Sequence, residues 1–194
     1  MRVLCLMSAV AILVAGCSGE RIVTTDEPFV ASPTSTTSEP APPPPNKHLV
    51  DAFDYVAHPA GSAVYYFTTP SGRWACAVVP REVAGCQSAT SPQSPMNITG
   101  EPDTVDNDGG EQVAPNAIVI ERNGEPRFVA MEQAEFALDD AKVLEFNRIL
   151  AVAGFRCNVQ EAGVSCMSEA TGNGFTFAPD GFAPRYTEVP ANAP

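Results

Sequence analysis

The stretch Gly154-Phe155-Arg156-Cys157-Asn158-Val159-Gln160-Glu161-Ala162-Gly163-Val164-Ser165-Cys166-Met167-Ser168 decides the fold. Two short runs with strand character, Gly154 to Val159 and Val164 to Ser168, enclose Gln160 to Gly163, which reads as a four-residue hairpin loop with glycine at its end to accept positive φ. The register follows from arithmetic. If Val159 pairs with Val164, then Asn158 faces Ser165 and Cys157 faces Cys166 at about 4.5 to 5.5 Å, a separation a disulfide bridges. A three-residue loop would put the two cysteines out of phase. The stretch therefore predicts an antiparallel hairpin stapled across its strands.

The same grammar recurs on the N-terminal side. Ala63 to Thr69 runs through Pro70-Ser71-Gly72 into Arg73 to Val79, two strands and a tight turn. Cys76 and Cys86 straddle Pro80-Arg81-Glu82, so a second local crosslink is expected. Each crosslink closes a loop of about ten residues, worth roughly 2.5 to 3 kcal/mol on the chain-entropy model. Zinc competes for four cysteines, but metal knuckles use gaps of two to four residues and these gaps are nine and eight, so disulfides are preferred. Ala117 to Glu121 and Pro126 to Met131 flank Asn123-Gly124, a strong hairpin signal. Thr171-Gly172-Asn173-Gly174 and Pro179-Asp180-Gly181 bracket a strand at Phe175 to Ala178. The segment Glu132 to Val152 carries both signals and is divided into a short helix from Met131 to Asp140 and a strand from about Val143. The expected fold is mainly β, a small antiparallel sheet or open barrel built from hairpins, with at most one short helix.

The other end of the chain carries an address. Arg2 precedes an apolar run from Val3 to Val14, which at 1.5 Å per residue reaches only about 18 Å of a roughly 30 Å hydrocarbon core. That is signal-peptide anatomy. Val14-Ala15-Gly16-Cys17 resembles a bacterial lipobox, in which cleavage leaves the cysteine as a lipidated N-terminus. The alternative is an ordinary secretory signal that abuts a cysteine, which would leave Cys17 as an odd thiol in an oxidising compartment. The resemblance implies a signal peptide over 1–16, acylation of Cys17, and residence at the outer face of the cell membrane. More than one acyl chain gives stable anchoring. Residues 17–47 are rich in Pro, Ser and Thr and cannot form a core, so they predict a disordered stalk. Pro42 to Pro45 favour polyproline II and a spacer of up to about 90 Å. The composition fits a plain tether or an O-glycosylated one. Asn97-Ile98-Thr99 matches an N-glycosylation acceptor, which in a bacterial lipoprotein is coincidence. The extracytoplasmic domain spans 48–194.

The formal net charge is −12, from 11 Lys+Arg against 23 Asp+Glu, and Arg2 is lost with the leader. Such a chain repels nucleic acid, which needs clustered cations to displace counterions. It also repels anionic headgroups, leaving the lipid as the membrane tie. Phe67-Thr68-Thr69-Pro70-Ser71-Gly72 before Cys76, then Gly154-Phe155-Arg156-Cys157, Gly163-Val164-Ser165-Cys166 and Thr171-Gly172-Asn173-Gly174-Phe175, resemble a small disulfide-containing exported domain of unknown function found in actinobacterial, mycobacterial-type envelope lipoproteins. The resemblance covers Val64 to Phe182 and departs at the insertion Thr90 to Pro115. It implies a fold and no activity.

Reactive chemistry is sparse. Glu101, Asp103, Asp106, Asp108 and Glu111 crowd a Gly- and Pro-containing stretch, but an EF-hand would want an acid at Thr104 and a glutamate at the bidentate end, so the stretch reads as a solvated loop and not as a metal site. Ser71 lacks the glycine pattern of a nucleophile elbow and reads as a turn residue. His48 and His58, the two histidines, belong to no nucleophile motif. Trp74, the sole tryptophan, fits core packing beside Cys76 better than a ligand platform. Neither a phosphate loop nor a dinucleotide fingerprint is present, so no cofactor is expected. The sequence predicts a noncatalytic envelope lipoprotein binding another envelope protein or a cell-wall component. A carrier of an apolar ligand is the alternative, conditional on an enclosed cavity, and a hydrolase using Ser71 with His58 is the least favoured.

Overall fold

The computed structural model describes residues 46–194, and in it apolar runs punctuated by turn residues become thirteen strands and no α-helix. The first eight are β1 (Val56–Ala57), β2 (Val64–Thr68), β3 (Trp74–Val79), β4 (Val83–Ser88), β5 (Val105–Asp106), β6 (Gln112–Val113), β7 (Ala117–Glu121) and β8 (Arg127–Val129). They form an antiparallel meander in the order β1-β2-β3-β4-β7-β8, with β5 and β6 set aside as a small hairpin of their own. The remaining five are β9 (Arg148–Val152), β10 (Phe155–Gln160), β11 (Gly163–Ser168), β12 (Gly174–Ala178) and β13 (Gly181–Ala183), a second antiparallel meander.

Side chains one residue apart on a strand face opposite sides of its sheet, and this alternation sorts the molecule into layers. The inward row of the first sheet is Phe67, Cys76, Cys86 and Ile118, each directly opposite the next. The second sheet has the matching row Leu150, Cys157, Cys166 and Phe175. All eight are fully buried in one apolar cluster, so the sheets pack face to face with a disulfide at the middle of each. Cys76–Cys86 and Cys157–Cys166 are both formed, with Cα atoms 4.1 Å apart in each pair. Val159 pairs with Val164, as the arithmetic required. Gln160 also pairs with Gly163, which shortens the connection to Glu161-Ala162. Gly163 has φ 134, and a Cβ there would lie 2.2 Å from the Phe177 carbonyl oxygen, so only glycine fits.

Each outer face is covered by a strap of the chain. Over the first sheet, Phe136 seals a second apolar cluster with Val64, Tyr66, Ala77, Ala117 and Val119. Its backbone N–H donates to Gln87 Oε1 at 2.8 Å, and its ring occupies the space a Cβ on Gly85 would need. This cover explains why β3 and β7 are apolar on both faces. Over the second sheet the strap is polar. Asn158 Nδ2 donates to the Thr187 carbonyl at 2.9 Å, Gln160 Nε2 to the same oxygen at 3.1 Å, and Thr176 Oγ1 to the Arg185 carbonyl at 2.8 Å.

Two local expectations are corrected. Met131 to Asp140 is not a helix, because the N–H groups of Met131 and Phe136 donate to the distant side chains of Asn116 and Gln87 and the segment forms turns instead. The strand expected from Val143 begins at Arg148, and Val143 itself makes only an isolated parallel bridge to Thr68. The insertion Thr90 to Pro115 carries the β5–β6 hairpin and places Met96 and Ile98 in the main core. The residues expected to form the signal peptide, Cys17, and all of the expected stalk except Asn46 and Lys47 lie outside the described residues.

Candidate functional site

The β2–β3 turn is rigid, and it aims two side chains. Thr69 N–H donates to the Trp74 carbonyl at 3.0 Å, Gly72 N–H to the Thr69 carbonyl at 2.9 Å, and Trp74 N–H to Thr69 Oγ1 at 3.2 Å. Ser71 Oγ accepts from Arg73 N–H at 3.3 Å and lies 3.0 Å from Thr69 Oγ1. Held this way, Trp74 turns inward to meet the Phe177 ring edge-on at 5.1 Å, while Arg73 stays exposed with its guanidinium 4.9 Å from the indole centroid.

Facing this turn across a cleft of about 300 Å³ is the β10–β11 turn, with Gln160 and Glu161 on its wall and Val159 and Val164 beneath. Phe146 completes the lining and is 44% exposed, an unusual position for a large apolar ring. It is held by the next residue: Asn147 has φ 62 and donates its N–H to the Val159 carbonyl at 2.8 Å. The two charges of the cleft, Arg73 and Glu161, take part in none of the three ion pairs among the described residues. The cleft thus combines aromatic surface, a cation, an anion and a hydroxyl, with no net charge.

A second groove, about 370 Å³, lies on the outer face of the first sheet beside the Phe136 strap. Its charge is one-sided. Asp108, Glu121, Glu132 and Glu135 line it against a single cation, Arg127, which is already paired with Glu121. Glu135 also helps burial raise the Tyr66 pKa above its ordinary value.

The residues singled out in the sequence fall in separate places. Ser71 lies at the end of β2 that leads into β3, whereas His58 follows β1, beside the other end of β2. The five residues of β2 alone separate those ends by about 16 Å at 3.3 Å per residue, so no Ser-His pair is assembled. His48 is buried, and neither ring nitrogen has a hydrogen-bond partner among the described residues. Trp74 is a core residue that also lines the cleft. Glu101 is a structural acceptor, taking the N–H groups of Asn97 at 3.1 Å and Ile98 at 3.2 Å, while Asp103, Asp106, Asp108 and Glu111 are exposed. Among the described residues no three His, Cys, Asp or Glu side chains converge as metal ligands.

Sequence reading missed Arg73, Phe146 and Glu161 as a group. The signal available was weak: Phe146 stands between Glu145 and Asn147 in a segment whose alternation suggested an ordinary half-buried strand. Neither a protein-family model, a curated protein nor a solved structure matches this chain.

Proposed function

We propose that the chain is a lipid-anchored, noncatalytic binding module at the outer face of the cytoplasmic membrane. The observation that carries the reading is the pair of disulfides buried in one core. Such crosslinks form and persist in oxidising compartments, which agrees with the exported address in Met1 to Cys17. Acylation of Cys17 supplies the tie that an acidic domain cannot obtain from anionic headgroups. Binding rather than turnover is supported by the use of the polar inventory. The Ser71 hydroxyl serves its own turn, His58 sits at the opposite end of β2, and Glu101 braces a loop. The space between the sheets is filled by two disulfides, aromatic rings and aliphatic side chains, which favours recognition at surface clefts over carriage of an apolar ligand within. The partner is another envelope protein or a cell-wall component.

The test is metabolic labelling with palmitate in bacteria producing the full chain. Incorporation that disappears in Cys17→Ser, with release of that variant into the medium, is the expected result. An unlabelled parent chain, or label that persists in Cys17→Ser, overturns the reading.

A further inference from the structure

We infer that the cleft between the β2–β3 and β10–β11 turns is a subsite for a neutral saccharide of one or two rings. The inference rests on the binding-module reading and adds the ligand class to it. A sugar ring is amphipathic in a particular way: its C–H faces pack on aromatic surface while its hydroxyl rim asks for planar donors and acceptors. The cleft offers both. Phe146 provides a solvent-accessible ring, Arg73 a planar donor set held against Trp74, and Glu161 and Ser71 acceptors on facing walls.

Charge and size narrow the class. Arg73 and Glu161 cancel, so the cleft imposes no single-signed field and selects no ion. The groove beside Phe136, with four carboxylates to one arginine, lacks that neutrality. A volume of about 300 Å³ stands at the small end of ligand sites, which suits a short saccharide and not a folded partner. Preorganisation is built in: hydrogen bonds fix the Thr69 to Trp74 turn, the Glu161-Ala162 turn is closed by strand pairing, and Asn147 fixes Phe146.

The chain carries its own reporter, since Trp74 is the sole tryptophan and lines the cleft. Full-length protein in detergent is titrated with neutral oligosaccharides of glucose and of N-acetylglucosamine, two to four units long, and indole emission is followed. Saturable change is expected with at least one series. Phe146→Ala and Arg73→Ala should each weaken it by about tenfold or more, and Phe53→Ala, at a ring 84% exposed outside the cleft, should leave it unchanged. Thermal unfolding of each variant checks that it is folded. Absence of saturable binding by either series overturns the inference, as does binding that Phe146→Ala leaves intact in a folded variant. Palmitate labelling reads the anchoring independently, so a labelled chain that ignores saccharide refutes the ligand class alone.

Discussion

Gly85→Ala tests the packing of the outer strap against the ordinary rule for strands. Alanine usually stabilises a strand relative to glycine by roughly 0.5 to 1 kcal/mol, because it restricts the unfolded chain. At Gly85 the added methyl would lie 2.4 Å from both Cε2 and Cζ of Phe136, against the 3.5 to 4.0 Å of a relaxed carbon contact. The ring cannot retreat cheaply. Phe136 is 1% exposed, and its N–H is tied to Gln87, the strand position two beyond Gly85. The overlap should turn the expected gain into a loss of about 1 to 3 kcal/mol, the usual cost of overpacking. Phe136→Ala alone should cost about 3 to 5 kcal/mol. Combined, the two changes should cost less than their sum, because truncating the ring vacates the space the new methyl needs. In the Phe136→Ala background Gly85→Ala should therefore be neutral or stabilising. Urea unfolding of the four proteins under non-reducing conditions gives the coupling energy directly. Additive costs, or stabilisation by Gly85→Ala in the parent chain, would refute the reasoning.

Other outcomes follow from the same contacts. Replacing Cys157 and Cys166 together by alanine should lower stability by about 2.5 to 3 kcal/mol, since the bridge closes a separation of 9 residues; an unchanged urea midpoint would show that the crosslink constrains nothing. Burial holds the Tyr186 hydroxyl above its ordinary pKa, partly offset by neighbouring Asn158, which makes no well-formed bond to it, and burial likewise raises Tyr55 and Tyr66. All three phenols are neutral in both states below about pH 10, where their contribution is complete; above it the unfolded chain ionises first, so stability falls as pH rises toward the folded values. The drop in urea midpoint between about pH 8 and about pH 10.5 should shrink in Tyr186→Phe. Hydrogen exchange should separate the straps: backbone amides of 185–188 should exchange faster than those of 134–138, because opening the polar strap exposes Asn158, Gln160 and Thr176, whereas opening the other exposes the Phe136 cluster. Equal protection would contradict that ranking.

What could be read from the sequence was what is local. The hairpin of β10 and β11 was legible because loop length and cysteine phase constrain one another within fifteen residues, and the register follows. Asn123-Gly124 located the β7–β8 hairpin but not its turn type. Val119 pairs with Arg127, which centres the loop on Asn123, and the Gly124 N–H donates to the Glu121 carbonyl. Gly124 is thus the fourth residue of a β-turn, a favoured place for glycine, and Asn123 does not take the left-handed conformation of a two-residue hairpin turn. Met131 to Asp140 was misread because its conformation is decided 49 residues away, at Gln87, and helix propensity yields to such contacts. The assembly of the cleft was illegible for the same reason. Phe146 and Arg73 line one cleft only once two sheets have packed, and no nearby residue signals which hairpins will meet.

On the proposed reading, the disulfides link this architecture to recognition. Cys76 lies two residues from Trp74, Cys157 two from Val159, and Cys166 two from Val164, so each crosslink sits one inward-facing position from the cleft. Strand ends open more readily than strand centres, and a covalent tie at that distance fixes the spacing of the strands that line the cleft. A cleft whose walls come from different sheets depends on the registry of both hairpins and on the layer between them. That layer is the two crosslinks and the apolar side chains packed around them. Reduction should therefore loosen the cleft before the sheets come apart, because binding requires both walls at a fixed separation, whereas the antiparallel ladders retain their hydrogen bonds until the core opens. The bridges hold the folded domain together and, on the proposed reading, also keep its binding surface in shape.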